Sequence, residues 1–406
     1  MIKAGLDIGN SKISAIVCDQ KSDGSIKVLS FISNPTNNVK RNIITNLSSL
    51  KEEISIAISE VAKSSETEIK SINLNIPAVE SYSLYSESEV KIDGEMVNDL
   101  HIKKAINESN ILEPIDNYEV IQSMILGYEL DKKLLFENPS GTYGDELNIK
   151  FYNYAVKKNI INTFVGIFDK LNIHIENFIP TPLASSLSTL NQDDKILGCI
   201  CIDLGASSSS VSIFENEKII FMDGINIGGR NITNDIARGL STNLESAERL
   251  KTLYGSVISS PSDEYEVIEV PYLNNDISKF KQINRSSINS IIKPRVEETL
   301  ELIWQKLKEY NLHKKYIKNL VLTGGGSLLE GVAEYAQIIF DSNVRLGKPL
   351  PIPGLEENFL KPQFSQTIGT ILYHRPNYEI EFLKKRDNFE KKGIFRQFSS
   401  WLDKYI

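Results

Sequence analysis

The chain has 406 residues, of which 41% are hydrophobic and 24% charged, with a formal net charge of -8. That length supports two or more globular cores, and the acidic balance excludes bulk electrostatic binding to nucleic acid. No stretch reaches the ~18 apolar residues of a spanning helix, and MIKAGLDIGNSK lacks the apolar core of a signal peptide, so a cytosolic or peripheral protein is expected.

In chain order, residues 2–8 and 13–18 are short apolar runs around GNSK, which predicts a β-hairpin with a small-residue tip. Residues 50–63 predict a helix, 71–76 a strand, 161–171 an amphipathic helix and 173–178 a second strand. PTPLASSLSTL follows, its Pro and small residues suiting a closely packed helix start. Asp193 and Asp194 are expected in an exposed turn, and residues 195–204 and 210–214 predict a second hairpin around GASSSS. That hairpin carries Asp203-Leu204-Gly205 where the first carries Asp7-Ile8-Gly9, a repeated device that suggests two related halves. Residues 231–240 and 244–253 read as helices, 267–270 as a strand and 287–310 as a long amphipathic helix. A buried strand at 318–322 runs into TGGGS, with a helix expected over 328–340. Strands alternating with helices around hairpins indicate an α/β protein. Cys18, Cys199 and Cys201 lie in apolar β-like runs and are expected to be buried, reduced thiols, with no second pair to complete a zinc site.

Three small-residue turns follow apolar strands, where backbone N–H groups can approach phosphate oxygens closely. In the first, Gly9, Asn10, Ser11 and Lys12 offer amides and a cation, with Asp7 placed to order a water of a hydrated Mg2+. In the second, Gly205, Ala206, Ser207 and Ser208 would clasp the same phosphates from the opposite side, with Asp203 as a second water-orienting carboxylate. Mg2+ suits such a site because it keeps several waters and needs few protein ligands. In the third, Gly324, Gly325, Gly326 and Ser327 would pass a glycine backbone beneath an adenosine. Any one of these turns also fits a plain tight hairpin or helix start. There is no GxxxxGK[ST], and GGGSLLEG does not match GxGxxG, which excludes the P-loop and dinucleotide fingerprints.

The order of the turns, two Asp-x-Gly hairpins and then strand-GGG-helix, resembles that of the actin-like ATPases. Longer stretches are similar to the FtsA family of bacterial cell-division proteins: GGRNITNDIARGLSTNLESAERLKTLYG, INLNIPAVES, FENPSGTYGDELNI, IIKPRVEETLELI, VLTGGGSLLEGVAEYAQIIF, VRLGKPLPIPGL and the final SWLDKYI. The resemblance covers essentially the whole chain. It implies an α/β, actin-like ATPase fold: two related domains around a nucleotide cleft, an FtsA-type small inserted subdomain and a C-terminal amphipathic helix. The implied boundaries are 1–84 and 161–194 for the first domain core, 85–160 for the insertion, and 195–230 and 313–375 for the second core. Residues 231–312 form its smaller subdomain, 376–392 a linker and 393–406 the membrane-targeting helix.

The implied cofactors are ATP and Mg2+, with Gly229, Glu248 and Lys251 near the adenosine. Arg295 and Glu298, on one face of the long helix, would meet the C-terminal peptide of FtsZ. Further implied partners are other copies of the chain, an anionic membrane surface and, through the insertion, other division proteins. The implied function is to anchor the FtsZ ring to the inner face of the cytoplasmic membrane at the division site and to help recruit later division proteins. At most a slow ATPase is expected. The second turn is serine-rich, Ser212 stands where the family tends to carry an acid, and the helix of PTPLASSL offers no Glu or Gln to position a water. Alternatives on the same fold are a pilus-assembly ATP-binding adaptor and a small-molecule kinase, the latter needing a general-base carboxylate for which no candidate stands out.

GIFRQFSSWLDKYI separates these alternatives. Ile394, Phe395, Phe398, Trp401, Leu402 and Tyr405 fall on one stripe of a 3.6-residue helix. At about 20 Å it is too short to span a bilayer but suited to lie in its interface. From residue 384 there are seven Lys/Arg and three Asp/Glu, favouring anionic lipid. The competing reading is a helix docked on the protein's own core, against which the charged linker argues.

Overall fold

The structure, a computed structural model, describes residues 1–109, 117–135, 138–273, 280–310, 312 and 318–374. They form two compact units, one of Met1–Tyr82 with Val156–Tyr373, the other built on Ser83–Ala155. The predicted linker and terminal helix, including Ile394, Phe395, Phe398, Trp401, Leu402 and Tyr405, lie outside the described residues.

The first unit opens with a meander of β1 (Ile2–Ile8), β2 (Lys12–Gln20) and β3 (Ile26–Pro35). A small hairpin of β4 (Val39–Lys40) and β5 (Ile43–Ile44), helix α1 (Leu47–Ser65) and strand β6 (Ser71–Ile76) follow. The Asn46 side chain accepts from the Ser49 amide and so caps α1. Leu50, Ile54, Ala57, Ile58 and Val61, spaced three and four apart, make its buried face.

The second unit carries β7 (Ser81–Lys91), α2 (Asp99–Glu108), β8 (Tyr118–Leu130), β9 (Lys133–Leu135) and β10 (Glu146–Lys157). Its sheet runs β7-β10-β8-β9. Ile102, Ala105 and Ile106 of α2 close over Val90, Ile149 and Phe151 to make a small core of its own. The expected insertion, residues 85–160, overlaps this unit.

The chain returns through α3 (Lys158–Asp169), β11 (His174–Pro180), α4 (Thr181–Thr189) and α5 (Gln192–Leu197). A second meander follows, β12 (Cys199–Leu204), β13 (Ser209–Glu215) and β14 (Lys218–Ile225), then α6 (Gly229–Gly239) and α7 (Leu244–Tyr254). The hairpin β15 (Val267–Pro271) and β16 (Phe280–Asn284) leads to α8 (Arg285–Glu309). Next come β17 (Asn319–Thr323), a 3-10 turn over Gly325–Leu328, α9 (Val332–Phe340), β18 (Asn343–Leu346) and α10 (Ser365–Leu372).

The two five-stranded sheets are built alike, in the orders β11-β6-β1-β2-β3 and β18-β17-β12-β13-β14. In each, a meander is extended by a strand parallel to its first and by another parallel to that. The registers coincide at the turns. Asp7 pairs with Ser14 and Asp203 with Ser210, while Gly9 N donates to Lys12 O at 2.9 Å and Gly205 N to Ser208 O at 3.0 Å.

Two helices exchange sides. α4, which leaves the first sheet, packs against β12 and β13 of the second, whereas α10, late in the chain, packs beneath β1 and β2. The two helices also pack on each other, and a Cβ at Gly369 would run into the Ala184 carbonyl.

Two sequence expectations are corrected. Residues 195–197 are the end of α5, not of a strand. Asn191 Oδ1 accepts from the Asp194 amide at 2.8 Å and Asp194 accepts in return from the Asn191 amide at 3.0 Å, a capping box that starts a helix, which Gly198 at φ 98° then ends. Asp193 and Asp194 are thus in a helical first turn, with Asp194 paired to Arg345. The glycines of TGGGS open a 3-10 turn, and the helix proper begins only at Val332, after Gly331 at φ 80°. All three cysteines are buried free thiols. No helix among the described residues is long and apolar enough to cross a membrane.

Candidate functional site

Both hairpin turns open on one cavity of about 1160 Å3 in the first unit. The first contributes Asp7, Gly9, Asn10, Ser11 and Lys12 to its wall, the second Asp203, Gly205, Ala206 and Ser208. Gly229, Glu248, Lys251, Gly325 and Gly326 line it as well. Small-molecule sites commonly occupy ~300 to 1000 Å3, so the space admits a ligand of nucleotide size.

Three of the expected residues stand behind the wall. Ser207 is buried, and Ser327 donates its hydroxyl to the Gly324 carbonyl at 2.7 Å. Gly324 is held at φ 83°, and a Cβ there would strike the Asp203 carboxylate and the Leu204 carbonyl, so only glycine fits. Arg295 and Glu298 are not part of the cavity wall. On α8, Arg295 donates through Nε to Asp235 Oδ2 of α6 at 2.6 Å and also pairs with Glu298.

The carboxylates are almost completely buried. Asp7 accepts from Asn75 Nδ2 at 2.8 Å on Oδ1, and its Oδ2 has no partner. Burial raises its pKa, against the opposing Asn75 bond and the Lys12 charge. Asp203 accepts from Gln366 Nε2 on both oxygens, at 3.0 Å each, and from the Ser185 hydroxyl on Oδ2. Burial still pushes it up to about 6. Lys12 sits with Nζ 2.5 Å from the Gln363 carbonyl and 3.7 Å from the Phe364 ring centroid. Desolvation lowers it to about 8, although Asp7 and Asp203 favour its charge.

Two buried carboxylates, one with a bare oxygen, fit a cation. Among the described residues no group of three or more His, Cys, Asp or Glu is arranged to ligate a metal directly. The donor set therefore fits a hydrated ion such as Mg2+, held through its waters.

At the other side of the cavity, Lys251 Nζ reaches Glu248 Oε2 at 2.7 Å, Thr233 Oγ1 at 2.9 Å and the Gly229 carbonyl at 3.2 Å. Thr233 donates in turn to Glu248. This network orders α6 against α7 and leaves polar atoms along the wall. Asn75, Thr181, Ser185, Thr233 and Gln366 are the partners that sequence reasoning missed. Asn75 alone gave a signal, as a polar residue in the buried strand INLNI. α4 contains no Glu or Gln, and its Thr181 donates to the Ile76 carbonyl at 3.1 Å.

A family model described as "Cell division protein FtsA" matches residues 200–369, which hold the second hairpin, α6, α7 and the glycine turn. The chain is similar to the cell division protein FtsA of Rhizobium meliloti, with 29% identity over 379 residues covering 91% of this chain and 86% of the relative. It is 24% identical to FtsA of Escherichia coli over 410 residues, 98% and 97% of the two chains. The similarity to FtsA proteins runs over 91% and 98% of this chain in the two cases. Solved structures agree on the fold. A chain of the PilM-PilN type IV pilus biogenesis complex gives a TM-score of 0.62 at 15% identity, covering 91% of this chain and 97% of that one. MreB5 of Spiroplasma citri bound to ADP gives 0.57 at 11% identity, covering 95% and 98%. The chain thus has the actin-like ATPase fold, with the cavity placed where its two repeated hairpins meet.

Proposed function

We propose that this chain is a member of the FtsA family, an ATP-binding, self-assembling division protein that ties the FtsZ ring to the inner face of the cytoplasmic membrane and helps recruit later division proteins. The observation that carries the nucleotide part is the pair of register-matched Asp-x-Gly hairpins facing one cavity, with the Asp7 Oδ2 left bare inside it. The FtsA relatives, cell division proteins by name, support the cellular role.

In this reading the amides of Gly9, Asn10, Ser11 and of Gly205, Ala206, Ser208 hold phosphate oxygens from two sides, and Lys12 supplies a fixed positive charge. Asp7 and Asp203 orient the waters of Mg2+, which when bound neutralises phosphate charge. Gly229, Glu248, Lys251, Gly325 and Gly326 frame the adenosine, supported from behind by Ser207, Gly324 and Ser327. Turnover is slow in this reading because α4 supplies no Glu or Gln to position a water and the side-chain amide of Gln366 is committed to Asp203. Nucleotide then acts chiefly by selecting a closed, polymer-competent arrangement. The Arg295–Glu298 face takes the FtsZ peptide, the insertion meets other division proteins, and the helix of Phe395, Phe398 and Trp401 rests on anionic lipid. One such helix binds weakly, and self-assembly multiplies it.

Calorimetry and vesicle pelleting of the full chain test the two parts separately. MgATP should bind, with affinity reduced at least about tenfold in Lys12→Met by loss of a charge-assisted contact. Both proteins should pellet with anionic vesicles, and Trp401→Glu should not. Absence of MgATP binding by the unmodified chain removes the nucleotide reading; vesicle binding unchanged in Trp401→Glu removes the membrane one.

A further inference from the structure

Asn10, in the middle of the first turn, is a meeting point for groups from both halves of the cavity. Its side chain is taken by Asn42 twice: Asn10 Nδ2 donates to Asn42 Oδ1 at 2.6 Å, and the Asn42 amide donates to Asn10 Oδ1 at 2.9 Å. Asn42 Nδ2 also reaches across to Asn226 Oδ1, just past β14 of the second sheet, at 3.1 Å. From α6, Arg230 extends its guanidinium back to the Asn10 carbonyl at 2.9 Å.

The hairpin that supplies Asn42 turns tightly through Arg41 and Asn42, at φ 52° and 60°, the common two-residue type I′ turn, which sets Asn42 against the first turn. Lys40, Arg41 and Arg230 all line the cavity, and among the described residues none of the three makes an ion pair. Three cations thus line the cavity that contains the turn proposed to hold phosphate, and Arg230 already touches that turn through a neutral carbonyl.

We propose that Arg230, with the Lys40, Arg41 and Asn42 hairpin, reads the terminal phosphate of a bound nucleoside triphosphate and is thereby the triphosphate-over-diphosphate specificity determinant of this site. The inference rests on the nucleotide reading above. A phosphate oxygen is a charged acceptor and outcompetes the Asn10 carbonyl for the guanidinium. A diphosphate lacks that group and leaves Arg230 on Asn10. Arg230 and Asn226 come from the second-sheet side and Asn10 and Asn42 from the first, so the exchange of partners changes how the two sides are tied. A difference in contacts between two ligand states is what a state-reading element needs.

Titration calorimetry of the full chain with ATP and with ADP, each with Mg2+, compares the unmodified protein with Arg230→Ala, Arg230→Lys and Asn226→Ala. The expected result is an ATP-over-ADP preference that falls about tenfold or more in Arg230→Ala, with ADP affinity within about twofold, and is partly restored by Arg230→Lys. Asn226→Ala, which removes a tie without removing a cation, should keep most of the preference. A thermal melt of each variant without nucleotide should match the parent, which separates a lost phosphate contact from a lost fold. Equal loss of ATP and ADP affinity in Arg230→Ala, or an unchanged ratio, overturns the assignment while leaving the nucleotide site standing. Failure of the unmodified chain to bind either nucleotide overturns the site and this reader together.

Discussion

The hairpins β1–β2 and β12–β13 share a register, a turn closed by the same glycine amide bond and a buried Asp at the same place, yet the two carboxylates are held very differently. Asp203 is gripped on both oxygens by Gln366 and on one by Ser185, whereas Asp7 has Asn75 on one oxygen and nothing on the other. The turns diverge in the same sense. The first carries a lysine and is tied through Asn10 to the opposite side, while the second is a run of serines entered from Asp203 and Leu204, against which Gly324 and Gly326 pack. One scaffold used twice has divided its work: a packed, pre-set hairpin confronts a more open one that keeps acceptor capacity and charge available for a ligand.

Crowding behind Asp203 should make the second hairpin much the less forgiving. Gly324→Ala combines a positive φ with a Cβ against Asp203 and Leu204, and a loss of about 2 to 4 kcal/mol is expected in thermal or denaturant unfolding. Gly9→Ala, whose Cβ would meet the Lys12 carbonyl only at 3.1 Å, should cost less than half as much. Equal losses would remove the contrast.

Ionisation of Asp203 should come next in size. Its folded pKa of about 6 lies above the ordinary 3.8, so the fold opposes the charged form, and the favourable contribution of the protonated acid is lost as pH rises from about 4 through 6. At pH 7 Asp203→Asn should therefore raise the stability of the nucleotide-free chain by on the order of 1 to 3 kcal/mol. The same variant should lose the Mg2+-dependent part of nucleotide affinity, and in the parent that part should grow as pH rises through about 6. Melting curves and titrations between pH 5.5 and 7.5 measure both; a destabilised Asp203→Asn would contradict the charge argument.

The smallest effect belongs to Ser210. The residue lines the cavity and its hydroxyl is buried without a partner, while Ser14 at the matching position is bonded to Ser33 at 2.9 Å. Ser210→Ala should leave unfolding within about 0.5 kcal/mol of the parent, because no bond is broken, and should reduce nucleotide affinity only a few-fold. Ser14→Ala should do the reverse, costing stability and sparing affinity.

The hairpins were legible because everything that makes them is local: period-two apolar runs and Asp-x-Gly turns within twenty residues. α1, α4 and β6 were legible for the same reason, through apolar spacing, an initial proline and an uninterrupted strand. The partners of the carboxylates were not. Gln366 meets Asp203 from 163 positions away and Asn75 meets Asp7 from 68, and no local pattern encodes such closures. The mistaken strand at 195–197 shows a local signal outvoted by another. Lys195, Ile196 and Leu197 look β-like beside CICIDL, but the Asn191–Asp194 cap had already started a helix. Likewise the three glycines marked the place of a turn without fixing its type, since the backbone there answers to Asp203 and Leu204 rather than to its own neighbours.

The exchange of α4 and α10 bears on how the protein is made. Ile16, Cys18 and Val28, among the first residues to leave the ribosome, bury their side chains against Phe364, Ile368 and Ile371, which are synthesised more than three hundred residues later. Until then the underside of the first sheet has no permanent cover, a delay that exposes apolar surface in a growing chain and calls for protection during translation. Premature stop codons before residue 365 should for that reason leave no folded first half behind, and the cell should meet such fragments as substrates for proteolysis rather than as competing subunits.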